Sequence, residues 1–179
     1  MVTHDSGDVM VDVEIFTPAG VLSGLAAGMP LTEGGPDLTT ALPITAGTWY
    51  PLDGATSQDR VDAQVAPDDI LVIVTPPDPV FVHMTWFAVT LDIGPYRVAG
   101  ELATQPGFDP SRALARPGGI YIPLREARIE LLAAPGAGTA DRPHVHVNRY
   151  AVDRVVSTLM LGHYFPGATL ATPESATLV

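Results

Sequence analysis

The stretch from Val145 to Val156 constrains the fold more than any other part of this chain. Two short runs, in which valines alternate with polar residues, flank a four-residue turn at 148–151. Apolar residues at every second position are typical of a strand with one buried face. A fainter copy closes the first half of the chain, where the apolar run Ile70–Val74 precedes the turn Pro76–Pro79. We therefore expect a chain built mainly from strands, in two related halves.

Proline and glycine support this β-rich interpretation. The 179 residues include 18 prolines and 17 glycines, and 46% of the residues are hydrophobic. Because Pro and Gly end strands and interrupt helices, this composition predicts a folded chain with many turns. Cysteine is absent, which excludes disulfides, a thiol nucleophile and a Cys-based zinc site.

The apolar runs recur in the same order. The opening runs Val9–Phe16 and Val21–Leu25 are followed 76 positions later by a similar pair, in which Gly100 takes the place of Gly24. We therefore predict a disordered N-terminus at 1–8, a first β repeat at 9–86, a second at 87–165 and a flexible tail at 166–179. Later matches at offsets of 72 and 75 are Ala41-Leu42 with Ala113-Leu114, Pro51-Leu52 with Pro123-Leu124, and Ile70 and Val72 with Val145 and Val147.

Each repeat is expected to contain a short helical insertion. In the second repeat Asp109 is a candidate N-cap, Pro110 suits the first helical position, and Ser111–Arg116 continues until Pro117-Gly118-Gly119 ends the helix. In the first repeat the corresponding short segment is Asp37–Leu42, which stops at a proline. Helices of this length need tertiary contacts, so we expect them to lie against the end of a barrel.

The run from Val147 to Val156 resembles the second signature of Sm-like proteins, in particular the Hfq-like RNA chaperones of bacteria. The opening Val13–Phe16, with Gly20 and Gly24-Leu25 after it, is similar to their first signature. The combined pattern is also similar to bacterial proteins of this type that carry no assigned activity. The resemblance implies two tandem five-stranded small β-barrels, each with its helical insertion between strands 2 and 3. It also implies neighbours joined edge to edge into rings, so three chains would form a pseudo-hexamer.

Charge is distributed unevenly. Residues 1–82 hold twelve acidic residues and one cation, Arg60, whereas residues 83–179 hold eight acidic residues and eight arginines. An acidic surface repels phosphate backbones, so nucleic acid is a disfavoured partner. Either the two halves attract each other, within or between chains, or the acidic surface only aids solubility.

Polar residues at the 148–151 turn form a candidate anion pocket. Arg149 and Arg154 could hold a phosphate or carboxylate, while Tyr150 stacks on a base and Asn148 contributes an amide. Arg142 is a further cation nearby. The alternative is that these arginines pair with acids of a neighbouring repeat, for example Asp68, Asp69 and Asp78.

His144 and His146 stand two residues apart, on one face of a predicted strand. Two imidazoles at this spacing can share a metal ion, with His163 or His83 as a third ligand. Polar residues that alternate with core valines on an exposed strand face are the commoner explanation. No cofactor is expected.

No catalytic motif is present: no serine stands in a Gly-x-Ser-x-Gly turn, and without lysine a phosphate-binding loop is excluded. The N-terminus carries no signal-peptide pattern and no run is long enough to span a bilayer, so we expect a soluble, cytoplasmic protein. Our prediction is a non-enzymatic, self-assembling scaffold or adaptor, a homo-oligomer or a binder of a protein partner. The alternative is an RNA-, nucleotide- or anion-binding module.

Overall fold

A computed structural model describes residues 10–27, 31–32, 35–36, 38–76, 83–107, 119–136 and 138–176. Among these residues the regular structure is almost all strand, with a 3-10 turn at Pro67–Asp69 and one helical turn, α1, at Pro173–Ala176. The strands are β1 Met10–Thr17, β2 Gly20–Ala27, β3 Leu31–Thr32, β4 Gly35–Pro36, β5 Leu42–Pro51, β6 Gln58–Val65, β7 Val72–Val74, β8 Thr85–Ile93, β9 Tyr96–Thr104, β10 Tyr121–Leu131, β11 Ala140–Asn148, β12 Val152–Val156 and β13 Thr169–Ala171.

Eleven strands form one open sheet in the order β13-β12-β8-β9-β10-β11-β7-β1-β2-β5-β6, and β3 and β4 form a separate hairpin. All neighbours in the large sheet are antiparallel except β12 and β13, which are parallel. The prediction of two separate five-stranded barrels is therefore wrong. The halves do not form separate barrels because β7 pairs with β11, and this pairing joins the edges of the two halves into one continuous sheet.

Within this sheet the same strand order occurs twice. The first unit (residues 10–76) is ordered β7-β1-β2-β5-β6, and the second unit (residues 83–176) contains β12-β8-β9-β10-β11. In each unit the last strand pairs with the first, and the others follow as consecutive hairpins. The pairing of β7 with β11 therefore joins the fifth strand of the first unit to the fourth strand of the second.

The pairing register shows which residues correspond. Ile15 lies opposite Ile73, and Leu91, 76 positions after Ile15, lies opposite Val155. Ala26 lies opposite Ile44, just as Leu102 lies opposite Leu124. The offset is thus 76 in the first two strands, 80 in the third and 82 in the fourth and fifth. The offsets of 72 and 75 that the sequence matches suggested for the later strands are wrong, because the connections between strands differ in length in the two units.

A β-bulge also recurs at the same place. The register slips between β2 and β5 and again between β9 and β10, and each slip contains a residue with positive φ, Ala46 at 51° and Glu126 at 49°. Gly24 and Gly100 lie opposite these bulges. A Cβ on Gly24 would lie 2.9 Å from the Cα of Gly47, so the bent strands leave no room for a side chain here. A bulge increases local bending, which curves each unit around its own core.

The connections differ from the expected helical insertions. In the first unit the connection between β2 and β5 contains the β3–β4 hairpin, and its described residues 38–42 are not helical. The helix predicted in the second unit from Asp109 lies outside the described residues, as does the N-terminal segment 1–8. The tail predicted to be flexible contains β13 and α1, because the backbone of β13 pairs with β12.

Two apolar clusters fill the concave faces. One groups the buried residues of the second unit with Phe16, Leu71 and Val72 from the first, and the other groups the first unit with Tyr121 from the second. Each core therefore receives side chains from the other unit. Over the described ranges, no helix is long and apolar enough to cross a membrane.

Replacing Gly24 with alanine tests the contact with the bulge. The added methyl would press on the backbone of Gly47, so Gly24→Ala should lower the free energy of unfolding by about 1–3 kcal/mol, as overpacking of a core does. Urea unfolding measures the change. The control is Gly162→Ala, whose methyl meets nothing closer than 3.5 Å. Equal stability of the two variants would contradict the close approach.

Candidate protein-interaction site

The turn at residues 148–151 holds the two units together. The amide Nδ2 of Asn148 donates to the carbonyl of Ile70 at 3.2 Å, and its backbone N–H donates to the carbonyl of Leu71 at 2.9 Å. Its Oδ1 accepts the backbone N–H of Tyr150 at 3.1 Å. Asn148 therefore fixes the turn and anchors it to the first unit. The corresponding turn of the first unit is Ala66–Asp69, not Pro76–Pro79 as the sequence suggested.

The four residues of the predicted anion pocket have different surroundings. Arg149 is only 1% exposed, and its guanidinium donates to the carbonyl of His163. Tyr150 is 59% exposed, with its ring 5.3 Å from that guanidinium, and Asn148 is occupied by main chain. Arg154 lies 4.0 Å from Asp92. The buried guanidinium thus binds the backbone of the loop after β12.

The remaining sequence candidates lie at the joint between the units. His146 is buried and His144 half-buried on β11, and no group of three or more potential ligand side chains suited to a metal ion occurs in the described part of the chain. Arg142 forms a bidentate ion pair with Glu14, at 2.7 and 2.8 Å. This pair follows the predicted pairing of an arginine with an acid of the other repeat, although the acid differs from those expected.

Apolar side chains complete the joint. Leu71 packs against the β8–β9 turn, so closely that a Cβ on Gly94 would lie 2.8 Å from its Cδ1. The ring of Phe16 meets Tyr96 edge-on at 5.4 Å. The hydroxyl of Tyr96 donates to the carbonyls of Thr17 and Gly20, at 3.0 and 3.2 Å. The first unit thus inserts a plug, Phe16 and Leu71, into the open end of the second.

The first unit has an open groove at the corresponding position. Its volume is about 450 Å³, and it lies beside β6, the last strand of the sheet. Its apolar wall includes Leu22, Ala63 and Val65, which correspond in register to Val98, Val145 and Val147, three residues of the core that holds the plug. No described residue occupies this groove as the plug occupies the second unit. We call it the acceptor groove.

The second unit carries no matching plug. Leu52 and Val74, which pack against the second core, correspond to the apolar residues Leu132 and Val156. The other four residues of the first unit in this core, Phe16, Val21, Leu71 and Val72, correspond to the charged residues Asp92, Arg97, Asp153 and Arg154. These charged side chains form ion pairs and hydrogen bonds within the second unit. The guanidinium of Arg97 binds Asp92 at 2.7 and 3.1 Å, and Asp153 accepts the backbone N–H of Gly94 at 3.0 Å. In addition, β13 covers the outer edge of β12. The second unit therefore has charged residues where the first unit has Phe16 and Leu71.

Short sequence matches between the two units indicate this asymmetry. Leu42-Pro43-Ile44 and Ile122-Pro123-Leu124 share one pattern at the structural offset of 80, and Asp59-Arg60 and Asp141-Arg142 are the same dipeptide at an offset of 82. An alignment through the matches at an offset of 82 places Asp153 on Leu71 and Arg154 on Val72. The acceptor groove itself has no local signal, because its walls come from four different strands.

Comparison with protein-family models, with curated proteins and with solved structures found no match to this chain. Nothing in these comparisons or in the described residues indicates catalysis.

Buried tyrosines predict alkaline sensitivity. Burial raises the pKa of Tyr96 and of Tyr121 above the ordinary value, so both stay neutral in the folded chain after unfolded tyrosine ionises, near pH 10. The contribution of these tyrosines to stability should be constant below that pH and fall above it, by about 1.4 kcal/mol per pH unit for each of them. Because the chain lacks lysine and cysteine, few other groups titrate there.

Urea unfolding between pH 8 and 11.5 measures this slope. Tyr96→Phe should make it shallower, whereas Tyr50→Phe, at a side chain that is 50% exposed, should leave it unchanged. Identical slopes for wild type and Tyr96→Phe would show that the joint does not shield this hydroxyl.

A structural role for Arg149 predicts a loss of stability on substitution. Arg149→Leu leaves the carbonyl of His163 without this donor, which should cost about 1–3 kcal/mol in thermal or urea unfolding. Arg128→Leu is the control, because the pair of Arg128 with Asp141 is exposed and solvent screens its charges. Two results together would contradict this role. Arg149→Leu would be as stable as wild type, and phosphate would raise the melting temperature of wild type but not of the variant. Both would support the anion-pocket hypothesis instead.

Proposed function

We propose that this chain is a non-enzymatic adaptor that holds another protein at the acceptor groove. The observation that carries the proposal is the correspondence between this groove and the position in the second unit that Phe16 and Leu71 fill. In the second unit, Phe16 and Leu71 fill the open end of the curved sheet. In the first unit, the corresponding open end is the acceptor groove, which has an apolar wall.

A relationship to Sm-like proteins forms part of this proposal. It is supported by the repeated strand order and by the pairing of a fifth strand with a fourth, since the resemblance implies edge-to-edge joints between neighbours. A ring of three chains would need β13 to leave β12 and Asp92 to enter an apolar groove. Burying charge without a new partner is costly, so we favour a different protein as the occupant.

A peptide that copies the chain's own donor segment tests the groove. The peptide contains residues 70–75 between neutral Ser-Gly flanks, and the full chain carries Trp86→Phe so that only Trp49, which lines the groove, fluoresces. We expect a saturable change in emission. Gln64→Pro should weaken binding at least about tenfold, equivalent to about 1.4 kcal/mol, because it removes a backbone donor from the edge strand.

Gln64→Ala, which keeps that N–H, is the matched control and should bind as wild type does. The adaptor proposal is abandoned if no emission change occurs, or if the proline variant binds as tightly as the alanine variant. Light scattering of the protein alone tests the predicted homo-oligomer independently.

A further inference from the structure

We infer that the occupant of the acceptor groove is an extended segment of another protein, with a large apolar residue directly before a short apolar strand and with basic residues at its ends. The segment adds to the sheet as an antiparallel strand beside β6. This inference rests on the proposed adaptor function and adds the chemistry of the partner.

The backbone of β6 is oriented to receive a strand. Gln64 lies opposite Pro43, and His146 lies opposite Pro123. Proline has no N–H, so neither residue can exchange a pair of hydrogen bonds with it, and their backbone groups point to the other side. In the second unit that side pairs with β7, where His146 lies opposite Ile73. Gln64 presents the same groups at the end of the sheet, where an extended peptide can bind them.

The groove selects the apolar residue. In the donor segment, residues 70–75, Leu71 directly precedes β7 and lies in the core of the second unit. In the first unit Gly20 corresponds to Tyr96, and the indole of Trp49 lies over it, because a Cβ on Gly20 would be 2.6 Å from the ring. Without the tyrosine and the plug, the groove has an aromatic floor beside Leu22. A leucine-sized or larger side chain fits this apolar space.

Charge selects what flanks the apolar residues. Asp69 lines the groove, and Asp68 precedes it in the same turn. Asp59 and Asp62 are exposed on β6 outside the lining of the groove, and they accept hydrogen bonds within the first unit. Arg60 is the one basic residue in the described part of this unit. Asp69 in the groove, with the other acidic groups around it, attracts cations and repels acidic segments, which steers the choice of partner.

The experiment compares three peptides with the same apolar core, residues 70–75, and flanks of arginine, serine or glutamate. Binding to the full chain with Trp86→Phe is followed through Trp49 emission. We expect the arginine-flanked peptide to bind at least tenfold more tightly than the glutamate-flanked one at low salt. The difference should shrink at about 1 M salt, where exposed charges are screened within about 3 Å.

A double variant, Asp68→Asn with Asp69→Asn, should reduce the preference for arginine flanks over glutamate flanks. Glu174→Gln, at an exposed acid in the C-terminal turn, is the control and should keep the full preference.

The outcomes separate the two proposals. Equal affinity of all three peptides overturns the charge selection while the adaptor function stands. Binding of none of them, the serine-flanked peptide included, overturns both. A dimer of the protein alone that Gln64→Pro dissociates and Gln64→Ala does not would make a second copy the occupant, which also overturns the inference.

Discussion

The insertion of Leu71 and Phe16 into the core of the second unit is the contact on which the rest of the structure depends. At the same place β7 pairs with β11, so the edges of the two units are covered there. Burial of two large apolar side chains stabilises such a joint by several kcal/mol. The ion pair of Arg142 with Glu14 and the amide of Asn148 then fix its orientation.

The same strand order therefore has two surfaces with opposite properties. The first unit has an apolar donor surface, buried in the joint, whereas the corresponding surface of the second unit is charged and its edge is paired with β13. The two units therefore contribute different surfaces to the molecule. At the other end of the sheet, β6 carries charges and a residue with positive φ, Arg60 at 57°, features that protect an edge from indiscriminate pairing. Its regular stretch near Gln64 remains the part suited to a specific partner.

Several elements were predictable because their signal is local. The alternation in Val9–Phe16 predicts β1, and the strands around Gly24 and Gly100 were confirmed with their correspondence. The later alignment failed because matches of two residues cannot compensate for connections of different length. The barrels were wrong for a different reason: whether a curved sheet closes on itself or continues into a neighbour depends on which edges meet, and β7 meets β11 over two residue pairs.

The candidate site shows the same division. Sequence pointed to Asn148 and Arg149 as important, but a polar residue at a turn can face solvent or the protein, and only the tertiary structure buries this guanidinium against the carbonyl of His163. The sequence by itself determined the opening strands of each unit, their duplication and the acidic first half, because alternation, turns and charge are properties of neighbouring residues. The tertiary structure decided the joint, the acceptor groove and the charged surface of the second unit, because each brings together side chains from strands that are far apart along the chain.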